Sequence, residues 1–162
     1  MFKAPQEVDM TKYPKLNGAP QIFLAGSIEM GKAVDWQHTV YNKVVDSKER
    51  AILYNPRRDD WDSSWKQSID DPQFNAQVSW ELDKLDISDI IFLYFSPGTK
   101  SPISLLELGL HAKDNKLIVC CPEGFWRKGN VEMVCDRYAI ELHTDLNDAM
   151  DVLLTDIKYF NV

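Results

Sequence analysis

The chain has 162 residues, of which 44% are hydrophobic and 27% charged, with 7 Gly and 8 Pro; this composition suits one packed core and excludes extended disorder. Lys and Arg number 18 against 25 Asp and Glu, a formal net charge of -7. That balance excludes a nucleic-acid polymer as partner, because such binding is driven by basic residues that displace counterions, but it allows a small ligand held at one local site.

Residues 1–20, with Pro5, Pro14, Gly18 and Pro20 among mixed charges, read as an irregular arm, and residues 21–162 as a single domain. Residues 21–26 (QIFLAG) form a short apolar run ending in glycine, a buried first strand. Over 32–48 the residues Val34, His38, Tyr41, Val44 and Val45 recur at helical spacing, while Trp36 reads as core. A second strand at 51–54 stops at Asn55-Pro56. Phe74, Val78, Leu82 and Leu85 predict a helix over 72–85, with Pro72 in its first turn. The unbroken apolar run at 89–95 suits a central parallel strand covered on both faces. A helix at 104–113, a strand at 117–121, a fifth strand at 138–142 and a last helix at 146–156 complete the series. This alternation predicts an α/β fold: an open, mostly parallel five-stranded sheet with helices on both faces, a flavodoxin- or Rossmann-like three-layer sandwich.

In such sheets ligands bind outside the C-terminal strand ends. The loops at 26–29, 55–62, 96–102 and 122–124 are therefore expected to converge on one cleft. Glu107 stands three residues after Ser104, the spacing of a capping box. Yet the surrounding residues Leu105, Leu106, Leu108, Gly109 and Leu110 make the helix apolar almost all round, and a dehydrated carboxylate is costly unless it does chemistry. The residues alone leave Glu107 divided between cap and catalyst; both roles hold together if Ser104 caps the helix and its N-terminus keeps the Glu107 carboxylate ionised. Glu81, taken by itself, reads as a solvated carboxylate paired with a neighbouring lysine. The acidic, Trp-rich loop after the second strand, with Asp60 and Trp61, is a candidate ligand contact. Gly26-Ser27 resembles the opening of a phosphate-cradling turn, but the full dinucleotide-binding glycine pattern and the P-loop are both absent. Cys120 and Cys121 are adjacent and would point to opposite faces of a strand, which argues against a disulfide framework. His38, His111 and His143 are too widely separated for a metal site. No metal and no cofactor is expected. Without a signal-peptide core or a bilayer-length apolar run, the expected location is the cytoplasm, with no membrane partner.

Three segments, IFLAGSI at 22–28, NPRRDDWD at 55–62 and SPISLLELG at 101–109, resemble those of the nucleoside 2-deoxyribosyltransferase-like proteins, and the similarity extends over about residues 21 to 157. The resemblance implies cleavage of an N-glycosidic bond, with Glu107 as the nucleophile at C1′ and transfer of the deoxyribosyl group to another nucleobase. It implies that Glu81 handles the proton and positions the sugar or base. It further implies that Phe23, Gly26, Ser27, Asp60, Trp61 and Ser101 bind substrate, and that Asn130 serves the site of a neighbouring subunit in a homodimer or larger homo-oligomer. Ser101 resembles the serine of related 2′-deoxynucleoside 5′-phosphate N-hydrolases, which points to a monophosphate; Glu29 nearby would repel one. Nucleoside and nucleotide, transfer and hydrolysis therefore stay open. Retention of the fold as a non-catalytic nucleotide-binding module and cleavage of NAD at its glycosidic bond are further alternatives.

Overall fold

The computed structural model describes residues 1–29, 33–58 and 64–161. Six strands form one wholly parallel sheet: β1 (Phe2–Lys3), β2 (Gln21–Gly26), β3 (Ile52–Asn55), β4 (Ile90–Tyr94), β5 (Leu117–Cys120) and β6 (Leu142–His143), in the order β1-β3-β2-β4-β5-β6. Among the described residues there are five α-helices, α1 (Trp36–Ser47), α2 (Pro72–Ile87), α3 (Pro102–His111), α4 (Lys128–Arg137) and α5 (Leu146–Phe160); the first four connect β2 through β6 in turn and α5 follows β6.

The strict two-residue alternation of strands sorts the core into two layers. Phe23, Ala25, Ile91, Leu93 and Val119 face the side packed with Trp80 and Leu85 of α2, Leu108 of α3 and Val131 of α4. Ile22, Leu24, Phe92, Ile118 and Cys120 face α1 and α5, against Trp36, Val40, Val44, Met150 and Leu153. Helices on both faces are why the strands read as continuous apolar runs. The adjacent cysteines divide as strand geometry demands, Cys121 into the first layer and Cys120 into the second.

Three helices start on aspartate caps. Asp35 accepts from the His38 amide, Asp71 from Gln73 and Phe74, and Asp145 from Asn147 and Asp148, each satisfying backbone donors that a helix start leaves open.

The structure corrects several expectations in detail. The sheet has six strands, because Phe2 and Lys3 pair with Tyr54 and Asn55 at its edge; two residues are too few to show a period. The arm is held further by Trp80 Nε1 donating to the Gln6 carbonyl at 3.0 Å and by a Lys84–Glu7 ion pair. The buried stripe of α1 is Trp36, Val40 and Val44, whereas Val34 and Val45 are exposed. The strand expected at 138–142 shrinks to Leu142–His143, since Tyr138 caps α4 and Ala139 turns with φ 53°. Helix α4 itself escaped notice because Gly129 and Asn130, both weak helix formers, stand at its start.

Ignoring the edge strand β1, the chain winds outward from β2 in both directions, so β2 and β4 flank the point where the order reverses. Gly26 closes β2 there, with φ 141° and no room for a side chain: an added Cβ would run into the Tyr94 carbonyl oxygen and lie 2.9 Å from the Trp36 ring. Gly26→Ala should therefore cost about 3 kcal/mol or more in urea unfolding, or prevent folding. Gly129→Ala, in a helix with open space around it, should lie between neutral and about 1 kcal/mol stabilising.

Candidate active site

Where β2 and β4 end, a cavity of about 560 Å³ opens between α2 and α3. Its floor and rim come from Gly26 and Glu29 after β2, Pro56 and Arg58 after β3, and Ser101 at the head of α3. Its walls are apolar. The residues Phe74, Val78, Leu82 and Leu85, whose spacing predicts the helix, line the cavity, with Leu85 alone fully buried. Ile103, Leu106 and Leu110 of α3 form the facing wall. Such a mainly apolar hollow with a few polar groups is the usual form of a small-molecule site.

Glu107 lies on the inner face of α3 with Ser104, Leu108 and His111 and is only 7% exposed. The capping-box expectation fails. Helix α3 begins a turn earlier, at Pro102, with Ser101 as its N-cap in a left-handed conformation, so Ser104 is already inside the helix and Glu107 is in its second turn. Among the described residues no hydrogen bond reaches the Glu107 carboxylate. Burial, and next the charge of Glu81, push its pKa up to about 8. The helix start therefore does not keep Glu107 ionised, because dipole stabilisation fades within the first turn and desolvation prevails.

Glu81 faces the same cavity from α2, and burial also raises its pKa. Its partner is an amide rather than a lysine: Gln77 Nε2 donates to Glu81 Oε1 at 2.7 Å and to the Pro56 carbonyl at 3.2 Å, while Gln77 Oε1 accepts from Arg58 at 3.3 Å. The Arg58 guanidinium also lies over the Trp65 ring at 5.0 Å. Gln77 and Arg58 were not picked out from sequence. The available signal was the four-residue spacing of Gln77 and Glu81, which puts both on one helical face.

A second polar group sits at the mouth of α3. Ser27 Oγ accepts from the Ser96 amide at 2.8 Å and contacts Thr99 Oγ1 at 2.8 Å and Ser101 Oγ at 2.6 Å, with Thr99 and Ser101 3.0 Å apart. Glu29 Oε1 accepts from the Lys100 and Ser101 amides at 2.7 and 2.9 Å. Both Glu29 and Ser101 have positive φ, 47° and 44°. Left-handed non-glycine residues are costly, and two in mutual contact mark a locally over-determined backbone.

Of the residues expected to bind substrate, Gly26 and Ser101 line the cavity with Glu81 and Glu107. Phe23 does not: it lies mid-strand in the core, its ring 6.3 Å from that of Trp80. Ser27 is fully buried behind Ser101. Asn130 lies on the other flank of α3, in a separate hollow with Leu105, Leu108 and Trp126. Asp60 and Trp61 lie outside the described residues. The loop at 122–124 packs on the one after β4, Gly98 donating to the Gly124 carbonyl, and does not reach the cavity. No cluster of three metal-ligating side chains occurs among the described residues, and no helix there is long and apolar enough to cross a membrane.

The raised Glu107 pKa fixes a pH dependence of stability. Between the ordinary carboxylate range and about pH 8 the folded chain holds a proton at Glu107 that the unfolded chain has lost, so stability falls as pH rises, by at most about 1.4 kcal/mol per pH unit. Glu107→Gln, which keeps the shape and removes the charge, should raise Tm relative to the parent increasingly from pH 5 to pH 8. Parallel Tm curves over that range would contradict the burial argument.

The cavity thus brings one buried and one half-buried carboxyl group to a doubly wound sheet's switch point. No curated protein matches the chain. A family model described as nucleoside 2-deoxyribosyltransferase like matches residues 19–125, well over half of its length and inclusive of every cavity residue named above. The chain belongs to the nucleoside 2-deoxyribosyltransferase-like family.

Proposed function

We propose that the protein cleaves the N-glycosidic bond of a 2′-deoxyribonucleoside and transfers the deoxyribosyl group to a second nucleobase, with Glu107 as nucleophile and Glu81 as its proton-handling partner. The observation that carries this reading is the pair itself: a buried carboxyl with no hydrogen bond among the described residues, facing a second one held by an amide. Desolvation is tolerated where it serves chemistry.

Two like-charged carboxyls in a dry cleft keep one proton between them near neutral pH, as in other paired-carboxyl sites. The reaction needs this inventory. The proton held on Glu107 first passes to Glu81; the freed Glu107 oxygen then bonds to C1′ as the C1′–N bond breaks, the electron pair leaves with the base, and the proton now on Glu81 follows to the base nitrogen. A second base then attacks C1′ through its own nitrogen, the ester bond breaks, Glu107 recovers its carboxylate and the incoming N–H proton returns to the pair. Water in place of the base gives hydrolysis. The apolar walls hold a flat base and keep water away, and the Arg58–Gln77 chain positions Glu81. A binding module without catalysis would have no use for the dehydrated pair.

The hollow of Asn130 and the exposed Trp126, on the flank of α3 away from the cavity, support a homodimer or larger homo-oligomer in which Asn130 serves a neighbour's site. Mixing Glu107→Ala with Asn130→Ala chains, each inactive alone, should then restore turnover; failure to complement would remove the shared site.

Deoxynucleoside incubated with a second free base should yield a new nucleoside; free sugar alone would mean hydrolysis. Glu107→Ala should lower base release by roughly 10³-fold or more, and undiminished turnover would refute the mechanism. Because the pair must carry one proton, kcat/KM should fall as pH rises through about 8. A rate still climbing above pH 8 would show that the pair delivers no proton.

A further inference from the structure

A carboxylate of the protein's own occupies the backbone donors at the start of α3. The Lys100 and Ser101 amides, two donors of the kind that hold an anion at a helix N-terminus, both bond to Glu29 Oε1. The hydroxyls beside them are engaged as well. Thr99 Oγ1 gives its proton to the Ser96 carbonyl at 2.8 Å, so the three contacts among Ser27, Thr99 and Ser101 have only the Ser27 and Ser101 protons to share. The Ser27 and Ser101 protons are in demand inside the triangle, so a ligand in the cavity would compete with these contacts for the Ser101 hydroxyl.

Charge points the same way. Glu29, Glu81 and Glu107 line the cavity, and Arg58 is the one cationic side chain among the described lining residues. It is directed at Gln77, the amide that holds Glu81. A phosphate entering at α3 would have to displace Glu29 from both amides and then sit beside that displaced charge. Glu29 Oε2 has no hydrogen-bond partner among the described residues, which leaves one acceptor for a neutral O–H donor.

We propose that Glu29 sets the substrate class of the cleft by standing where a phosphate would bind, so that the site takes a deoxynucleoside with a free sugar hydroxyl and rejects its 5′-monophosphate. This rests on the cavity being a nucleoside site as read above, yet it concerns binding and stands apart from the catalytic role of Glu107. The strained backbone agrees with it. Glu29 and Ser101 hold left-handed conformations in the act of meeting, which places that carboxylate on those amides at a cost in conformational energy.

The test measures binding and turnover separately on the full chain, using deoxyadenosine, deoxycytidine and their 5′-monophosphates. In calorimetry the parent should bind a nucleoside at least about tenfold more tightly than its monophosphate, and Glu29→Gly should bring the two affinities together or invert them. Glu29→Gly should also relieve the positive φ, and Glu29→Gln, which keeps the size, serves as a second variant if the glycine form misfolds. In Glu29→Gln the preference should narrow while circular dichroism stays unchanged. Selective nucleoside binding without base release would uphold the role of Glu29 and sink the catalytic reading. Equal or tighter binding of the monophosphate by the parent, no binding of either nucleoside, or a preference unmoved in both variants would overturn the proposal, whatever the turnover.

Discussion

The close approach of Gly26 to Tyr94 is the contact on which the rest of this architecture turns. Strands β2 and β4 are neighbours at the centre of the sheet, Gly26 is registered against Tyr94, and the Ser27 amide continues the ladder by donating to the Tyr94 carbonyl at 3.0 Å. A side chain on Gly26 would part the strands at the point where their continuations must separate. Beyond it the first continuation runs to α1 on one face and the other to α3 on the opposite face. The gap left between the diverging segments is the mouth of the cavity. Trp36 braces the junction, its ring over Tyr94 at 5.4 Å and its Nε1 donating to the Ser27 carbonyl. The site is thus a product of topology before it is a product of any polar residue.

The electrostatics follow from that placement. Helices cover both faces of the sheet and leave its end as a hollow with apolar walls, so a carboxyl pointing there loses hydration and is stabilised only where a neighbour supplies a hydrogen bond. Glu107 takes the larger effect because it lies deepest, and Glu81 the smaller because Gln77 hydrogen-bonds it. Gln77 acts in two directions, lowering the cost of charge on Glu81 and fixing its distance from the loop after β3 through Pro56 and Arg58. One helix face therefore sets both the position and the proton affinity of the second carboxyl.

The central strands and the α/β alternation could be read from sequence because a buried parallel strand has an unmistakable signature: every side chain apolar over four to seven residues, bounded by Gly, Pro or charge. Strand β2 comes out residue for residue. Elements at the margin could not be. A two-residue edge strand carries no period, and α4 opens on residues that disfavour helices. The α2 stripe shows the limit of periodicity more sharply. Phe74, Val78, Leu82 and Leu85 do recur at helical spacing, yet spacing reports only that a face avoids water, and a ligand cavity satisfies that demand as well as a core does. The residues packed inward are Gln77, Trp80, Lys84 and Leu85, of which only Leu85 belongs to that stripe.

The same logic explains why the site was legible in part. Glu107 was conspicuous as a charge in a leucine-rich helix, and Gly26 and Ser101 fall at strand and helix ends where topology sends ligands. Phe23 does not reach the cavity because β2 is covered on both faces, and its side chain packs against Trp80 beneath α2. The Ser27 hydroxyl serves the loops behind the cavity, accepting from the Ser96 amide and meeting Ser101. Glu29 is the instructive case. As sequence it was an unwelcome charge beside a presumed anion site, a local contradiction. In three dimensions the carboxylate takes up the Lys100 and Ser101 amides at the start of the helix, at the cost of two left-handed residues. Places where local rules are broken and the break is stabilised by a specific partner are where a fold has been adapted to a task. Here the buried Glu107, the buried Gln77 and the strained Glu29–Ser101 contact line or abut one cavity.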